Sequence, residues 1–422
     1  MQKGVIGDLH IHSKYARACS KDINVANLEK YARLKGLNLL GTGDFQHPKW
    51  LPELKQELTD KGDGILYSKT NFPFVLQTEI SLIYSQDNKG RRIHNVVLCP
   101  DFETADQFQE YLKSKGRIDY DGRPIFKIPC DEFTESLRSI NKDIEVIPAH
   151  VWTPWFSLFG SMSGFDSLKD AFRDQSKHIH AIETGLSSDP AMNWRLSQLD
   201  DLSIISSSDS HSFWPWRMGR ESTKYNMQKM TYKELLRCIR ENDIIETLEF
   251  YPEEGKYHFD GHRNCGVCVS PEESLALKKV CPKCKTGMTI GVASRVEELA
   301  DNPLGRKPSS ARPFRNLIPL SEIIAHVIGS PVASKKVWEQ YNKLINTFGS
   351  ELNTIEQSEK ELAKVVDPKL AGVIAQSTQV QWKPGYDGVY GVPMFGEYPE
   401  ENKESKSDTK KRIMQKGLGE WN

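Results

Sequence analysis

Gly7-Asp8-Leu9-His10-Ile11-His12-Ser13 is the stretch on which the fold prediction rests. It follows the short apolar run Val5-Ile6, so a strand is predicted to end here. Side chains two positions apart on an extended chain point to the same side, which places His10 and His12 together. Two adjacent imidazoles suit a divalent metal ion, although the same spacing also occurs in packing or surface histidines. The rest of the chain decides between these interpretations.

Other ligand-type side chains follow other apolar runs. They are Asp44 after residues 37–40, Glu79 after residues 72–76, His150 after residues 144–147, and Asp209 and His211 after residues 203–205. His94 is less regular because it precedes its run. In a parallel barrel the carboxyl ends of the strands meet on one face, where active sites are built. Because unrelated loop residues explain such a series poorly, we expect these side chains to gather around several divalent metal ions.

Composition sets limits on the class of protein. At 422 residues the chain predicts two or three domains, and 38% hydrophobic residues suffice for a buried core. Lys and Arg number 56 against 57 acidic residues, so net charge does not indicate a nucleic-acid partner. No stretch approaches the roughly 20 apolar residues of a membrane span, and the first residues lack the apolar core of a signal peptide. We therefore expect a cytoplasmic protein with no membrane partner.

The first 250 residues or so alternate apolar runs of strand length with helical segments such as residues 25–36, 106–114 and 232–242. This alternation is typical of βα units, and the number of runs favours a barrel over a small open sheet. Divalent ions held by histidines and carboxylates at the rim of such a barrel suit phosphoester hydrolysis. The predicted fold class is therefore α/β, with a metal-dependent phosphoesterase barrel over residues 1–252.

Two Cys-x-x-Cys pairs follow, Cys265-Gly-Val-Cys268 and Cys281-Pro-Lys-Cys284. Four thiolates at this spacing suit a closed tetrahedral Zn²⁺, so the sequence predicts a small zinc-binding module over residues 253–300. His258 and His262 precede the first pair as alternative ligands, ranked lower because four cysteines already complete a site. The remaining four cysteines are scattered and are predicted to be reduced thiols.

Residues 301–398 are predicted to form a helical domain. Helices are expected over residues 317–328, 334–348 and 358–374, and the Gly- and aromatic-rich loop 384–391 is expected to press against another domain or a substrate. Basic side chains near the zinc module either contact phosphates or form a solvated surface. Those selected as DNA contacts are Arg263, Lys283 and Arg312.

Aromatic rings crowd the chain just after His150 and His211. They either cap the barrel core or stack against a base, since base stacking on an aromatic ring is sequence-tolerant. The rings selected as DNA contacts are Trp152, Trp155, Trp214 and Trp216.

The ordered histidine and carboxylate motifs resemble those of the PHP (polymerase and histidinol phosphatase) superfamily. The resemblance implies a distorted (β/α)7 PHP barrel with up to three metals at its C-terminal rim, Zn²⁺, Mg²⁺ or Mn²⁺. Phe45 stands where many members have a histidine, and His47 is the alternative nearby. The implied catalytic residues are His10, His12, Asp44, Glu79, His150, Asp209 and His211, and His94 joins them as a metal ligand.

The order of barrel, zinc module, helical domain and 384–391 loop resembles the endonuclease Q family. That family cuts double-stranded DNA on the 5′ side of deaminated bases (uracil, hypoxanthine, xanthine) and abasic sites. The resemblance therefore implies a metal-dependent endodeoxyribonuclease that acts on damaged DNA, with residues 301–398 as its helical DNA-binding domain. A small-molecule phosphoesterase of the histidinol-phosphatase kind and a non-catalytic DNA-binding protein are the alternatives, and the first leaves the zinc module unexplained.

The charged segment 399–422 is predicted to be a flexible tail. Its end carries Gln415, Leu418 and Trp421 at a spacing that resembles a clamp-binding motif of the PCNA type. The resemblance implies a sliding clamp as partner, and a tail with no partner is the alternative.

Overall fold

The computed structural model describes residues 4–395. The clamp-binding-like residues Gln415, Leu418 and Trp421 lie outside that range, so their role stays a prediction. Residues 4–395 form a mixed α/β structure. None of the helices within them is long and apolar enough to cross a membrane.

The strands in this range are β1 Val5–Asp8, β2 Leu39–Gly41, β3 Thr59–Asp60, β4 Leu66–Tyr67, β5 Pro73–Gln86, β6 Lys89–Cys99, β7 Ile125–Phe126, β8 Glu145–Pro148, β9 Ala181–Glu183, β10 Ser203–Ile205, β11 Ser222–Tyr225, β12 Ile244–Glu249, β13 Asp260–His262, β14 Val267–Val269, β15 Phe314–Asn316, β16 Gln381–Lys383 and β17 Val392–Met394. The α-helices are α1 Val25–Lys35, α2 Trp50–Glu57, α3 Phe102–Lys115, α4 Cys130–Ile140, α5 Leu168–Phe172, α6 Pro190–Asn193, α7 Tyr232–Arg240, α8 Pro271–Ala276, α9 Val292–Leu299, α10 Leu320–Ile328, α11 Lys335–Phe348, α12 Glu351–Ile355, α13 Glu359–Leu362 and α14 Pro368–Ala375.

The central sheet has the strand order β15-β12-β11-β1-β2-β5-β4-β3, and β6, β7 and β8 join it through β5 and β6. Strands β1, β2 and β5 run parallel, whereas β6 runs antiparallel to both β5 and β8. Asp87 and Asn88 connect β5 to β6 by a tight turn, both with positive φ, where a βα unit would place a helix. The α/β class is confirmed, but the ladders do not form the regular parallel barrel that the alternation predicted.

The ends of several strands nevertheless meet at one rim. Strands β9 and β10 form a parallel pair of their own. Val151, just after β8, donates its N–H to the Glu183 carbonyl at 3.1 Å, and His12, after β1, donates its N–H to the Ser210 carbonyl at 2.8 Å. These hydrogen bonds bring the segments after β1, β8, β9 and β10 together.

Helix α1 shows how the sequence sets these elements. The Asn24 side chain accepts a hydrogen bond from the Asn27 N–H at its start, and Gly36 ends it in a left-handed conformation with φ 105°. Its buried face includes Leu28 and Ala32, which lie in the main hydrophobic core. A predicted helix over residues 25–36 is confirmed.

Helices α10, α11 and α14 enclose a separate core around Tyr341. Helices α10 and α11 confirm the predicted helices over residues 317–328 and 334–348. The third predicted helix is divided into α13 and α14, because the Asp367 side chain and Pro368 start a new helix. Strand β15 pairs with β12, which joins the start of this region to the central sheet.

Candidate metal centre

Two groups of ligand-type side chains lie side by side at this rim. One consists of His10, His12, Glu79 and Asp209, the other of Glu79, His94 and His150, and the ligand atoms of each group lie within 4.8 Å of one another. Glu79 belongs to both groups. Its Oε1 lies 2.7 Å from His94 Nδ1 and 3.0 Å from His150 Nε2, while its Oε2 lies 3.2 Å from His12 Nε2. The structure therefore brings together most of the ligands predicted from the sequence.

Two carboxylates outside these groups orient the histidines. Glu183, the last residue of β9, lies 3.0 Å from His10 Nδ1, and Asp44 lies 2.9 Å from His12 Nδ1. A metal-binding histidine commonly donates its second ring N–H to a carboxylate, which turns the other nitrogen toward the ion. Asp44, expected among the catalytic residues, thus positions His12. Glu183 was missed by the sequence analysis, although it directly follows the apolar run 179–182.

The donor atoms of the first group fit a divalent cation. His10 Nε2 is buried without a hydrogen-bond partner among residues 4–395, and it lies 3.5 Å from both Glu79 Oε2 and Asp209 Oδ1. Although burial opposes it, the carboxylates of Glu183, Glu79 and Asp209 hold the pKa of His10 well above its usual value. Three carboxylates thus surround the His10 ring, and a bound divalent cation would balance their negative charge.

The second group suits a metal for a different reason. Burial lowers the pKa of His94 to about 4, so the ring is neutral and has a free lone pair near pH 7. Glu79 is buried as well, yet Arg123, His94 and His10 hold the pKa of its carboxyl well below the usual value. A neutral imidazole beside a fully ionised carboxylate is a suitable ligand pair.

Arg123 is a further member of the site that the sequence did not indicate. Its NH1 lies 2.9 Å from Glu79 Oε2, and its side chain is 30% exposed at the edge of the rim. The residue stands in a loop far from any recognisable motif, so no sequence signal could have found it. Its partly exposed guanidinium can also meet an incoming phosphate.

Two predicted histidines lie outside both ligand groups. The His211 ring stands 4.5 Å from that of His12, and its Nδ1 lies 3.0 Å from the Asp209 carbonyl oxygen. His47, the alternative for the position of Phe45, stacks on Tyr15 with ring centroids 4.4 Å apart. His211 therefore borders the site, whereas His47 packs beside it.

Three residues of the rim have left-handed backbone conformations. The φ angles are 41° at Asp44, 31° at His150 and 47° at Asp209. Positive φ is uncommon for residues other than glycine, and such strain is concentrated at functional sites. At each of these positions the chain turns sharply from a strand end into the site.

The predicted DNA contact at Trp152 is wrong. This side chain is 1% exposed, its Nε1 donates to Asn193 Oδ1 at 2.8 Å, and its ring packs on Phe159. A buried ring whose only polar atom is satisfied belongs to the core, as in the capping alternative. Trp155 is 37% exposed and remains available to a ligand.

Trp214 and Trp216 stack on each other with centroids 5.0 Å apart and planes within 11°. Both also pack against Trp338 of α11, at 5.4 and 5.8 Å. Both rings are partly exposed. The pair therefore joins the rim loop to the helical region and leaves only part of each ring free.

A further ligand group lies within residues 253–300, the predicted zinc module, and it differs from the predicted group in one member. His262, Cys265, Cys281 and Cys284 place their ligand atoms within 4.8 Å of one another. The Cys268 thiol instead donates to the Pro384 carbonyl at 3.9 Å. Cys268 lies outside this group, so its place among the four predicted cysteine ligands stays a prediction.

The hairpin of β13 and β14 explains the difference. Gly261 lies opposite Cys268, and His262 lies opposite Val267. Opposed residues share a face of the hairpin and successive residues alternate, so His262 and Cys268 point to opposite faces. Hydrogen bonds with Thr286 lower the pKa of Cys284 to about 6, which favours the thiolate that a metal binds.

The three selected basic residues Arg263, Lys283 and Arg312 are all exposed. Lys283 Nζ donates to the Cys265 carbonyl at 2.7 Å, so part of its hydrogen-bonding capacity is used within the module. Other cations of the basic stretch are ion-paired, Arg306 with Asp200 and Arg315 with Glu246 and Glu356. The loop 384–391 packs on this module through Asp387, whose carboxylate accepts from the Arg263 N–H at 2.6 Å.

Comparisons with known proteins bear on the whole chain. The family model for the MJ0043 C-terminal domain matches residues 319–377. The chain is 32% identical over 251 residues to the protein MJ0043 of Methanocaldococcus jannaschii, a match that covers 58% of this chain and 31% of that one. It is 30% identical over 416 residues to the protein YqxK of Bacillus subtilis, which covers 92% of this chain and 99% of that one.

Two solved structures are similar over nearly their whole length. The lesion-specific endonuclease PfuEndoQ from Pyrococcus furiosus superposes with a TM-score of 0.83 and 32% identity, covering 92% of this chain and 94% of that one. A complex of endonuclease Q with a 27-mer duplex that has an abasic lesion at the active site gives 0.82 and 33%, covering 93% and 97%. At this identity and coverage the likeness extends from the rim to the helical region.

Proposed function

This chain belongs to the endonuclease Q family of nucleases, and we propose on that premise that it is a DNA repair endonuclease. It hydrolyses the phosphodiester on the 5′ side of a lesion, either a deaminated base (uracil, hypoxanthine or xanthine) or an abasic site, in double-stranded DNA. The observation that carries the proposal is the pair of ligand groups that share Glu79, because adjacent cations on one carboxylate suit a phosphodiester. We propose the cytoplasm as its compartment.

The barrel metals are proposed to be Zn²⁺, Mg²⁺ or Mn²⁺, held by His10, His12, Glu79 and Asp209 in one group and by Glu79, His94 and His150 in the other. Bound there, such ions lower the pKa of water, neutralise phosphate charge and stabilise the leaving oxygen. We propose that some strands of the central sheet, together with the β9–β10 pair, form the distorted seven-stranded barrel that the PHP resemblance implies.

Residues around the two ligand groups orient the metal-binding histidines and can contact the substrate phosphate. Glu183 and Asp44 hold the His10 and His12 rings in one orientation through their Nδ1 atoms. Arg123 faces the rim and offers guanidinium N–H groups to a phosphate oxygen. His211 Nδ1 is occupied by the Asp209 carbonyl, which leaves Nε2 able to accept a proton or act as a further ligand.

The His262, Cys265, Cys281 and Cys284 group is proposed to hold a structural Zn²⁺. Three thiolates and one imidazole complete a closed tetrahedral site, and both ligand pairs have two intervening residues. A zinc there would replace the hydrophobic core that so small a module lacks.

Replacing Cys268 by Ser should leave this zinc bound, because its thiol points away from the ligand group. Replacing Cys265 by Ser should release about one zinc per chain, since a lost ligand opens the closed site. Elemental analysis of the dialysed full-length variants measures this directly. Cobalt substitution adds a second measurement, because three thiolates give weaker charge-transfer absorption than four. Zinc loss in Cys268→Ser would contradict the assignment of His262.

The function itself is tested with 5′-labelled duplexes that carry one uracil, one hypoxanthine or one abasic site, incubated with Mg²⁺ or Mn²⁺. We expect a single cut immediately 5′ of the lesion, and none in the undamaged duplex. In the same assay, Trp155→Ala tests whether the exposed ring contributes to cleavage. Trp152→Phe is the matched control, because that ring is buried. Hydrolysis of small phosphate monoesters without any DNA cleavage would contradict the proposed function.

A further inference from the structure

The loop that carries Arg123 is anchored to the strand that carries Glu79. This arginine loop, residues 116–124, connects α3 to β7. At its end the Pro124 carbonyl accepts from the Ser81 N–H at 3.1 Å, and β7 then pairs in parallel with β5. The chain just after Arg123 is therefore fixed against β5.

Gln46 holds the chain just before Arg123. Its Nε2 donates to the Gly122 carbonyl at 2.6 Å, and its Oε1 accepts from the Thr78 hydroxyl. Thr78 directly precedes Glu79 in β5, and the side chains of Gln46 and Thr78 are both fully buried. A single buried amide therefore connects the arginine loop to β5, one residue away from Glu79.

The backbone at Gly122 also contacts the segment after β1. Its N–H donates to the Tyr15 carbonyl at 3.1 Å. A Cβ atom at this position would overlap Asp44 Oδ2 and the Ala16 Cβ. Asp44 Oδ1 in turn lies 2.9 Å from His12 Nδ1. The arginine loop thus approaches the carboxylate that orients His12 as closely as a glycine allows.

Arg123 extends from this anchored backbone to the metal groups. Its Nη1 lies 2.9 Å from Glu79 Oε2. Although burial opposes it, the carboxylates of Glu79 and Asp209 raise the pKa of the guanidinium. Cations bound at the rim would share Glu79 and weaken its attraction for Arg123. The anchored backbone would then keep the guanidinium in place where the ion pair alone would not.

We propose that Gln46 is a positioning residue for Arg123, because it clamps the arginine loop to β5 and so fixes the guanidinium beside Glu79 before the phosphate arrives. A donor that is already in place stabilises the charge that develops on a phosphate oxygen without reorganisation. Arg123 makes the contact with the phosphate, whereas Gln46 acts only through Arg123. This inference rests on the proposed function and adds a residue to that reaction that no sequence motif indicates.

The first test is Gln46→Met in the full-length chain, which removes both amide contacts at a similar side-chain volume. We expect the single-turnover cleavage rate of the abasic duplex to fall about 10- to 100-fold, as for other residues that orient a catalytic group. Duplex affinity and rim metal content should stay unchanged, because the metal ligands keep their own partners. Hydrogen exchange of residues 116–124 should become faster, and this is measured without substrate.

A double-mutant cycle distinguishes positioning from a general structural role. Arg123→Met should lower the cleavage rate about 100- to 1000-fold, since one preorganised donor contributes that much. In the Arg123→Met background, Gln46→Met should have almost no further effect on the rate, because the group that it positions is gone. Full, multiplicative losses in the double variant would overturn the inference.

Gln86→Met is the matched control, because Gln86 Nε2 also donates to a backbone carbonyl, that of Asp170 at 2.8 Å. Gln86 ends β5 seven residues after Glu79, which is roughly 23 Å along the strand at about 3.3 Å per residue. This variant should cleave the duplex and exchange at residues 116–124 like the wild type. If Gln46→Met fails to fold, Thr78→Val removes the hydroxyl contact at constant shape and provides the same comparison.

The outcomes separate this inference from the proposed function. Wild-type protein that cuts none of the lesion duplexes would refute the proposed function. Cleavage by the wild type together with an unchanged rate in Gln46→Met would refute the positioning role alone. Loss of rim metal in Gln46→Met would also refute it, because the effect would then act through the metal ligands.

Discussion

Replacement of Glu79 by Gln should lower the rate of lesion cleavage by about a thousandfold or more, because an interaction worth several kcal/mol with each ion is lost at one position. Glu79 is the one residue common to both ligand groups, and each of its oxygens faces a different set of histidines. An amide offers one neutral oxygen in place of two charged ones. Cleavage is measured under single-turnover conditions with the abasic duplex.

Metal content and DNA affinity show whether the loss is local. Glu79→Gln should reduce the metal bound at the rim while the zinc of the Cys265 group stays in place, and binding of the abasic duplex should persist. Glu57→Gln is the matched control, since that carboxylate is exposed and pairs with Lys69. Full cleavage by Glu79→Gln would exclude a shared metal ligand.

Replacement of Lys35 by Met should destabilise the protein by about 3–5 kcal/mol, because it leaves a buried carboxylate without its cation. Lys35 is 2% exposed and Glu351 is not exposed at all, and their charged atoms lie 2.7 Å apart. The pair ties α1 to α12, and Lys35 also holds the rim loop through the Pro215 carbonyl. The shift is measured as the change in urea midpoint and slope.

A second substitution checks the cause. The Leu320 N–H and the Tyr341 hydroxyl now donate to the two oxygens of Glu351 at 3.0 Å each. Gln at position 351 can still accept from the Leu320 N–H through its amide oxygen, while its amide N–H can donate to the Tyr341 hydroxyl oxygen. The double variant Lys35→Met/Glu351→Gln should therefore be more stable than Lys35→Met alone. Lys364→Met is the control, since an exposed pair with Glu361 contributes only about 0–1 kcal/mol. A double variant less stable than the single one would contradict the explanation.

The sequence predicted those parts of the site that depend on short-range patterns. The strand ends before His10, His150 and Asp209 follow from apolar runs, and the structure brings these residues together. Helix α1 was predictable because its amphipathic pattern is bounded by Asn24 and Gly36. Glu79 is a partial exception, since it lies inside the long strand β5 instead of at its end.

Other features depend on distant contacts that no local pattern contains. Arg123 reaches Glu79 from a loop, and Trp152 enters the core because Asn193 satisfies its indole. At the predicted zinc module the sequence offers two overlapping pairs, since Cys265 has a possible partner three residues before it and another three residues after it. Only the pairing of β13 with β14 decides that His262 faces the other ligands and Cys268 does not.

The left-handed turns at Asp44, His150 and Asp209 have a consequence for protein engineering. Aspartate and histidine are both enriched among the non-glycine residues that adopt positive φ, although neither adopts it as readily as glycine does. Grafting these side chains onto another α/β protein would fail on an ideal backbone, because ordinary strand ends would aim them elsewhere. A designer would have to copy three tight turns first and choose the ligands second.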